Sequence, residues 1–174
     1  MLFRLITRIA VRFSRKAISF PSVTSEGGYY DTEAGLNAVV NACYTPLRFW
    51  AGKEDAIGLS ETGTDIIAAG SGCVDNNMAA YTQSLDGTNS ACTFYFDRFY
   101  AAINWCNTAI FHAQTVPNPS NDEILATTLN KREAEARVLR TFYYWILTET
   151  FGDTYYTDQP STSIVMNPVK TSTD

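Results

Sequence analysis

The chain of 174 residues holds a single histidine, His112, and four cysteines, no two of them in a CxxC pair. Zinc and iron–sulfur sites draw on clustered His and Cys at short fixed spacings, so these scarcities exclude most metal chemistry. His112 is expected to fill a surface or packing role, and no metal site is expected. No GxxxxGK loop, no HExxH pair and no GxGxxG at a strand-to-helix turn occurs, so no cofactor is expected either. Gly58-Leu59-Ser60-Glu61-Thr62 falls one residue short of a nucleophile elbow and lacks a histidine partner. Glu133 and Glu135 lie two apart on a helix, where side chains diverge. They suit salt bridges to Arg137 and Arg140 better than acid/base work. The expected class is a binding protein, not an enzyme.

Acidic residues are absent before Glu26, while residues 1–20 carry Arg4, Arg8, Arg12, Arg15 and Lys16. The rest of the chain sets eight basic against all eighteen acidic side chains, a formal charge of −10. A body this acidic argues against the clustered Lys and Arg that phosphate backbones require, so no nucleic-acid partner is expected. Long uninterrupted apolar runs are also missing. "MLFRLITRIAVRFSRK" repeats Arg every fourth residue, too charged for a signal-peptide core of about 7–15 apolar residues or for a membrane span. As a helix it has one basic stripe and one apolar face, suited to a membrane interface. The expectation adopted for residues 1–18 is a truncated or misassigned start, with an interfacial amphipathic or transit-like segment as the alternative.

What the chain has in quantity is aromatic side chains: ten Tyr, ten Phe and three Trp. A chain of this length buries roughly 70% of its unfolded surface and suffices for one domain. Three long helices are read from apolar residues at helical spacing. The first runs from Asp31 or Thr32 to Trp50, with Pro46 expected to kink or shorten its last turn. The second runs from Ala91 to Gln114, its buried stripe including Tyr95, Phe99, Ile103, Cys106 and Ile110, with Asn104 and Thr108 mostly off it. "TVPNPSND" then breaks the chain, and Ser120 with Glu123 forms a capping box that opens a third helix to Phe151. Gly152 supplies its stop. No strand pair is convincing, so the fold class is all-α. Residues 154–174 read as extended.

Residues 51–90 are rich in Gly, Ser, Thr, Asn and Asp and lack periodicity. So long a connection is commonly functional. Cys43 and Cys106 sit in helical patterns as small core residues. Cys73 and Cys92 bracket the loop and are placed to pair in an oxidising compartment, although four free thiols are the expected state.

Three stretches combine with a fourth. "NACYTPLR" closes the first helix, "YAAINWCNTAI" (100–110) carries Tyr100, Ile103, Asn107 and Ile110, and "EAEARVLRTFYYWILTETFGD" (133–153) is followed by "TYYTDQP". With "SETGTD" (60–65) in the loop, these resemble the N-terminal part of the SusD/RagB family, outer-membrane nutrient-binding lipoproteins of Bacteroidetes. The resemblance covers about residues 19–165, and the longest stretch is its most specific element.

It implies tetratricopeptide-like helical hairpins with a long ligand-side loop that forms a glycan site. It implies an oligo- or polysaccharide ligand and a TonB-dependent (SusC-like) transporter as partner at the outer-membrane surface. It also implies a lipid anchor, though no cysteine precedes Cys43 in this sequence. Family chains are several times longer, so residues 19–174 are expected to be a SusD-like N-terminal domain truncated at its C-terminus.

Glycan binding needs flat aromatic faces for sugar C–H surfaces and amides or carboxylates for hydroxyls. Candidate ligand contacts are Trp50, Asp65, Asn77, Tyr81 and Asn89, with Asp75, Asn76 and Gln83 nearby. Asn and Asp also form turns unaided, and for Asp65 the cap of a short helix in the loop is the preferred reading over a ligand contact. The competing reading is a helical-repeat module that binds a protein and no sugar. Around 133–153, Val138, Leu139, Phe142, Trp145 and Ile146 are expected to face the preceding helix. Tyr143, Tyr144 and Leu147 form a second face, so this helix is expected to be buried between neighbours.

Overall fold

A computed structural model describes residues 29–50, 54–68, 70, 80–83, 85–118 and 120–172. Residues 1–18, Asp75, Asn76, Asn77 and the Cys73 side of the Cys73–Cys92 pairing lie outside the described residues. Among the described residues five helices follow in order: α1 Glu33–Tyr44, α2 Leu47–Trp50, α3 Glu54–Ser60, α4 Ser90–Thr115 and α5 Glu123–Phe151. The fold is all-α. Its only β pairing among the described residues is a single bridge between Thr154 and Thr171.

The break between α1 and α2 falls where Pro46 requires it. Thr45 N–H turns back to Ala42 O at 3.0 Å instead of extending the helix. At its other end Thr32 caps α1, accepting from Gly35 N at 3.1 Å. Gly35 is needed there because the chain entering the helix crosses it: a Cβ would stand 1.9 Å from Tyr29 O. The α5 cap differs from the expected capping box. Asp122, not Ser120, accepts from Ile124 N (2.8 Å) and Leu125 N (3.3 Å). Asn118 holds Asp122 in place through both of its amide groups. Gly152 ends α5 at φ 74°, a conformation that glycine adopts without strain.

Helices α4 and α5, of 26 and 29 residues, form an antiparallel hairpin. Contacts pair ascending positions on one with descending positions on the other: Phe96 with Phe151, Phe99 with Tyr143, Asn107 with Arg140 and Gln114 with Glu133. Helix α1 lies across both, and Leu36, Val40, Phe99, Ile103, Tyr143 and Leu147 form the centre of the core. Burying each such side chain contributes on the order of 1.5–3 kcal/mol. Cys43 and Cys106 are both buried in this core, as expected, and the structure brings them together. Hydrogen bonding to Cys43, then burial, pushes the Cys106 thiol far above its ordinary range.

The four aromatic residues 142–145 take four directions. Tyr143 turns fully inward, and its hydroxyl donates to Cys43 O at 2.6 Å. That carbonyl lies in the last turn of α1, where helical carbonyls lose their intrahelical partners. Tyr144 reaches the segment after α5, accepting from Thr157 N (2.8 Å) and donating to Thr157 O (2.9 Å). Burial pushes its hydroxyl up to about 12. Phe142 is half-buried, and Trp145 points outward with 55% of its surface exposed. Val138 is 68% exposed, so the expected inward face holding Val138 and Trp145 is incorrect. The helix turns Leu139, Tyr143, Ile146 and Leu147 to the core, because both α1 and α4 pack on that side.

Residues 154–172 form an extended strap held by side chains rather than by a sheet. Tyr100, Asn104 and Asn107, at i, i+4 and i+7 on α4, all face it. Tyr100 donates to Tyr155 O at 2.9 Å, and Asn104 Oδ1 accepts from Ser161 N at 2.7 Å. Asn107 Nδ2 donates to Thr157 O and Gln159 O, both at 3.1 Å. Arg140 Nη1 donates to Asn107 Oδ1 at 2.7 Å and reaches Asp158 O at 3.4 Å. Asn104 and Thr108, expected off the buried stripe, are therefore inside it. Arg140 serves the strap and not Glu135, whose partner is Arg132 at 3.0 Å. Arg137 does pair with Glu133 as expected.

Candidate functional site

Trp50 ends α2 and is half-buried, its ring edge-on to Phe99 at 5.9 Å and to Phe142 at 6.5 Å. Phe142 in turn lies 5.9 Å from Trp145, tilted by 40°. The three rings make a shelf at the surface: Trp50 and Phe142 are partly open to solvent and Trp145 is largely so. Edge contacts at these centroid distances fix ring orientation. Phe99, fully buried, anchors the shelf from below, and Phe49 packs on the same ring at 5.5 Å. Rings already held in place lose less conformational freedom when an apolar surface meets them.

The other loop candidates separate by role. Tyr81 adopts φ 48° and lays its ring over Gly63, where a Cβ would meet it at 2.9 Å. Its hydroxyl donates to Gly63 O at 3.3 Å, so the residue closes the turn after α3 while remaining 39% exposed. Asp65 is exposed just beyond that turn. No helix begins at 66–68, so Asp65 does not cap one. Asn89 is the N-cap of α4, its Oδ1 accepting from Ala91 N (2.9 Å) and Cys92 N (3.3 Å). Asp86 braces the same entry. Thr88 donates to its carboxylate from hydroxyl (2.6 Å) and backbone (2.8 Å), which holds the carboxyl below its ordinary range. The structure thus joins Trp50 to the α4–α5 aromatics and places Asp65 and Tyr81 at the α3 turn. It uses Asn89 for capping.

His112 has the packing role expected of it. Its Nδ1 lies 2.7 Å from Asp31 Oδ1, under the ring of Tyr30 at 5.4 Å. The pair ties the chain entering α1 to the end of α4. Among the described residues no three His, Cys, Asp or Glu side chains converge as metal ligands would. No described helix is long and apolar enough to cross a membrane.

Sequence reasoning missed Trp145 as a surface group, because an all-round apolar helix gives no signal for which sector faces out. It also missed the strap contacts. A signal for those existed: Asn104 and Asn107 are poor helix formers set among apolar neighbours, where a buried amide implies a specific partner. Comparison with protein-family models, curated proteins and solved structures finds no match to this chain.

Proposed function

We propose that this chain belongs to a SusD/RagB-like glycan-capture component of an outer-membrane uptake system, acting by binding and not by catalysis. The observation that carries the reading is the Trp50–Phe142–Trp145 shelf, whose first ring stands in sequence at the entrance to loop 51–90. The exposed Trp145 indole matches the C–H surface of a pyranose ring, and Asp65, exposed in the loop, is the type of group that binds sugar hydroxyls. The order of the four motif stretches and the long antiparallel hairpin fit tetratricopeptide-like units. The ligand is an oligo- or polysaccharide, and the partner a TonB-dependent (SusC-like) transporter at the cell surface. Membrane attachment is through the lipid anchor that the family's full-length chains carry.

Affinity electrophoresis against a panel of neutral and acidic polysaccharides tests the sugar role. Retardation by at least one glycan, lost in Trp145→Ala, is the expected result. The exposure of Val138 at 68%, one helical turn pair from Trp145, favours a second reading: a helical module whose aromatic face docks a protein. If every glycan fails while the chain still co-purifies with a transporter, that second reading replaces the first.

A further inference from the structure

The outer face of α5 is open along most of its length. Lys131, Ala134, Val138, Thr141, Trp145 and Glu149 are all exposed, Val138 and Trp145 most tellingly because they are large and apolar. Successive spacings of 3, 4, 3, 4 and 4 residues put the six within a sector about 80° wide on a 3.6-residue helix. Helices α1 and α4 pack on the other side, against Leu139, Tyr143 and Leu147. The sector of a surface helix opposite its core is ordinarily charged or polar. On this stripe the charges stand only at the two ends, Lys131 and Glu149, with Ala, Val, Thr and Trp between them. Alternating steps of 3 and 4 residues are also the seam by which helices pair along their length.

The order of residues along the stripe is complementary to itself. Lys131 and Glu149 stand at equal distances on either side of position 140. Ala134 and Trp145 are centred on the midpoint of 139 and 140, and so are Val138 and Thr141. An α5 helix laid antiparallel on its own copy about that point sets each Lys131 beside the other copy's Glu149. The same register sets each Trp145 against the other copy's Ala134 and each Val138 against Thr141. The largest side chain of the stripe therefore meets the smallest, which suits helix axes roughly 8–10 Å apart. A parallel pairing would instead put Lys131 on Lys131 and Trp145 on Trp145. A twofold axis repeats every antiparallel contact, as an isologous interface requires.

We infer that α5 is a self-association surface, pairing antiparallel with α5 of a second copy of this chain in a twofold dimer. Two Lys131–Glu149 ion pairs close the ends, and Ala134, Val138, Thr141 and Trp145 of both copies form the apolar centre. The pairing does not depend on glycan capture. It shares Trp145 with the shelf, so a seated copy and a stacked glycan exclude each other. One helix pair buries less than the standard interface of about 1,600 Å², and the dimer is accordingly expected to be weak, with a Kd of about 10–100 μM.

The test is sedimentation equilibrium of the full chain up to about 500 μM, well above the expected Kd, with a charge swap at the stripe ends. The parent is expected to fit a monomer–dimer equilibrium. Lys131→Glu and Glu149→Lys, each setting like charges together twice, are expected to weaken it at least about tenfold. The double variant Lys131→Glu/Glu149→Lys restores both pairs and is expected to return within about threefold of the parent, a rescue that mere misfolding would not give. In a mixture of isotope-labelled and unlabelled chains, filtered NOEs are expected from the Ala134 methyl to the Trp145 indole of the other copy. Within one α5 those groups are about 16 Å apart, so the signal reports the pairing alone. The inference is overturned if the chain stays monomeric at 500 μM, which includes the case of a different protein seated on this face. It is equally overturned if the double variant is as weak as the single ones, or if a dimer forms without the Ala134–Trp145 NOE. Lys131→Glu is expected to leave polysaccharide retardation intact, so loss of the dimer and loss of glycan binding are read separately.

Discussion

Replacing Asn107 by Ala removes the residue that joins the hairpin to the strap. The side chain is fully buried and makes three hydrogen bonds: two donated to Thr157 O and Gln159 O, one accepted from the Arg140 guanidinium. A neutral hydrogen bond contributes about 1 kcal/mol net and one to a charged group about 1.5–3. The strap carbonyls regain water once the strap lifts, which returns part of that sum. Arg140, half-buried, rehydrates in part as well. The net cost is therefore about 2–4 kcal/mol. Urea unfolding followed by tryptophan fluorescence reads this as a lower midpoint. Hydrogen exchange reads it locally, since the amides of Thr157 and Ser161, bonded to Tyr144 and Asn104, should lose protection first. Arg140→Met should cost less and should not add fully to Asn107→Ala, because the two act through one network. A loss below about 0.5 kcal/mol with unchanged exchange at 157–161 would refute the claim that side chains of α4 and α5 hold the strap.

Other outcomes follow from single contacts. Tyr143→Phe keeps the ring in the core and strips the hydroxyl from Cys43 O, so thermal unfolding should show a loss of about 1–2 kcal/mol. Gly35→Ala drives a Cβ into Tyr29 O and should lower the midpoint by more than the few tenths of a kcal/mol typical of an exposed helix site. Asp31 is held below the ordinary carboxylate value of 3.8, first by its hydrogen bond to His112. A depressed folded value means this contribution is present above the unfolded pKa and is lost as pH falls through the folded one. Melting temperatures from pH 6 to pH 2.5 should therefore fall more steeply in the parent than in Asp31→Asn, and parallel curves would contradict the pairing.

The helices themselves were legible because their signals are local. Pro46 breaks α1 wherever the helix lies, and the apolar spacing of α4 and the stop at Gly152 need no partner to be read. Direction around α5 was not legible. With Phe142, Tyr143, Tyr144 and Trp145 in sequence, every sector is apolar, and only the positions of α1 and α4 decide that Tyr143 goes in and Trp145 out. The α5 cap moved from Ser120 to Asp122 because Asn118 holds the turn, a contact that a spacing rule does not see. Among the site candidates, Trp50 was identifiable as a large aromatic at a loop entrance. Asn89 had two readings from composition alone, and its distance to Ala91 N puts it at work as a cap. The strap had no periodicity to read, since side chains from two distant helices position it.

The most direct measurement of the central claim is isothermal titration of a retarding polysaccharide into the parent chain and into Trp145→Ala, with Trp50→Phe as the conservative companion. Trp145 is exposed, so its removal is expected to leave the fold intact, and circular dichroism of the same samples checks that. The account expects saturable binding by the parent, weakened at least about tenfold in Trp145→Ala, the scale of one lost stacking contact. Binding unchanged by Trp145→Ala, or no saturable glycan at all, would contradict it.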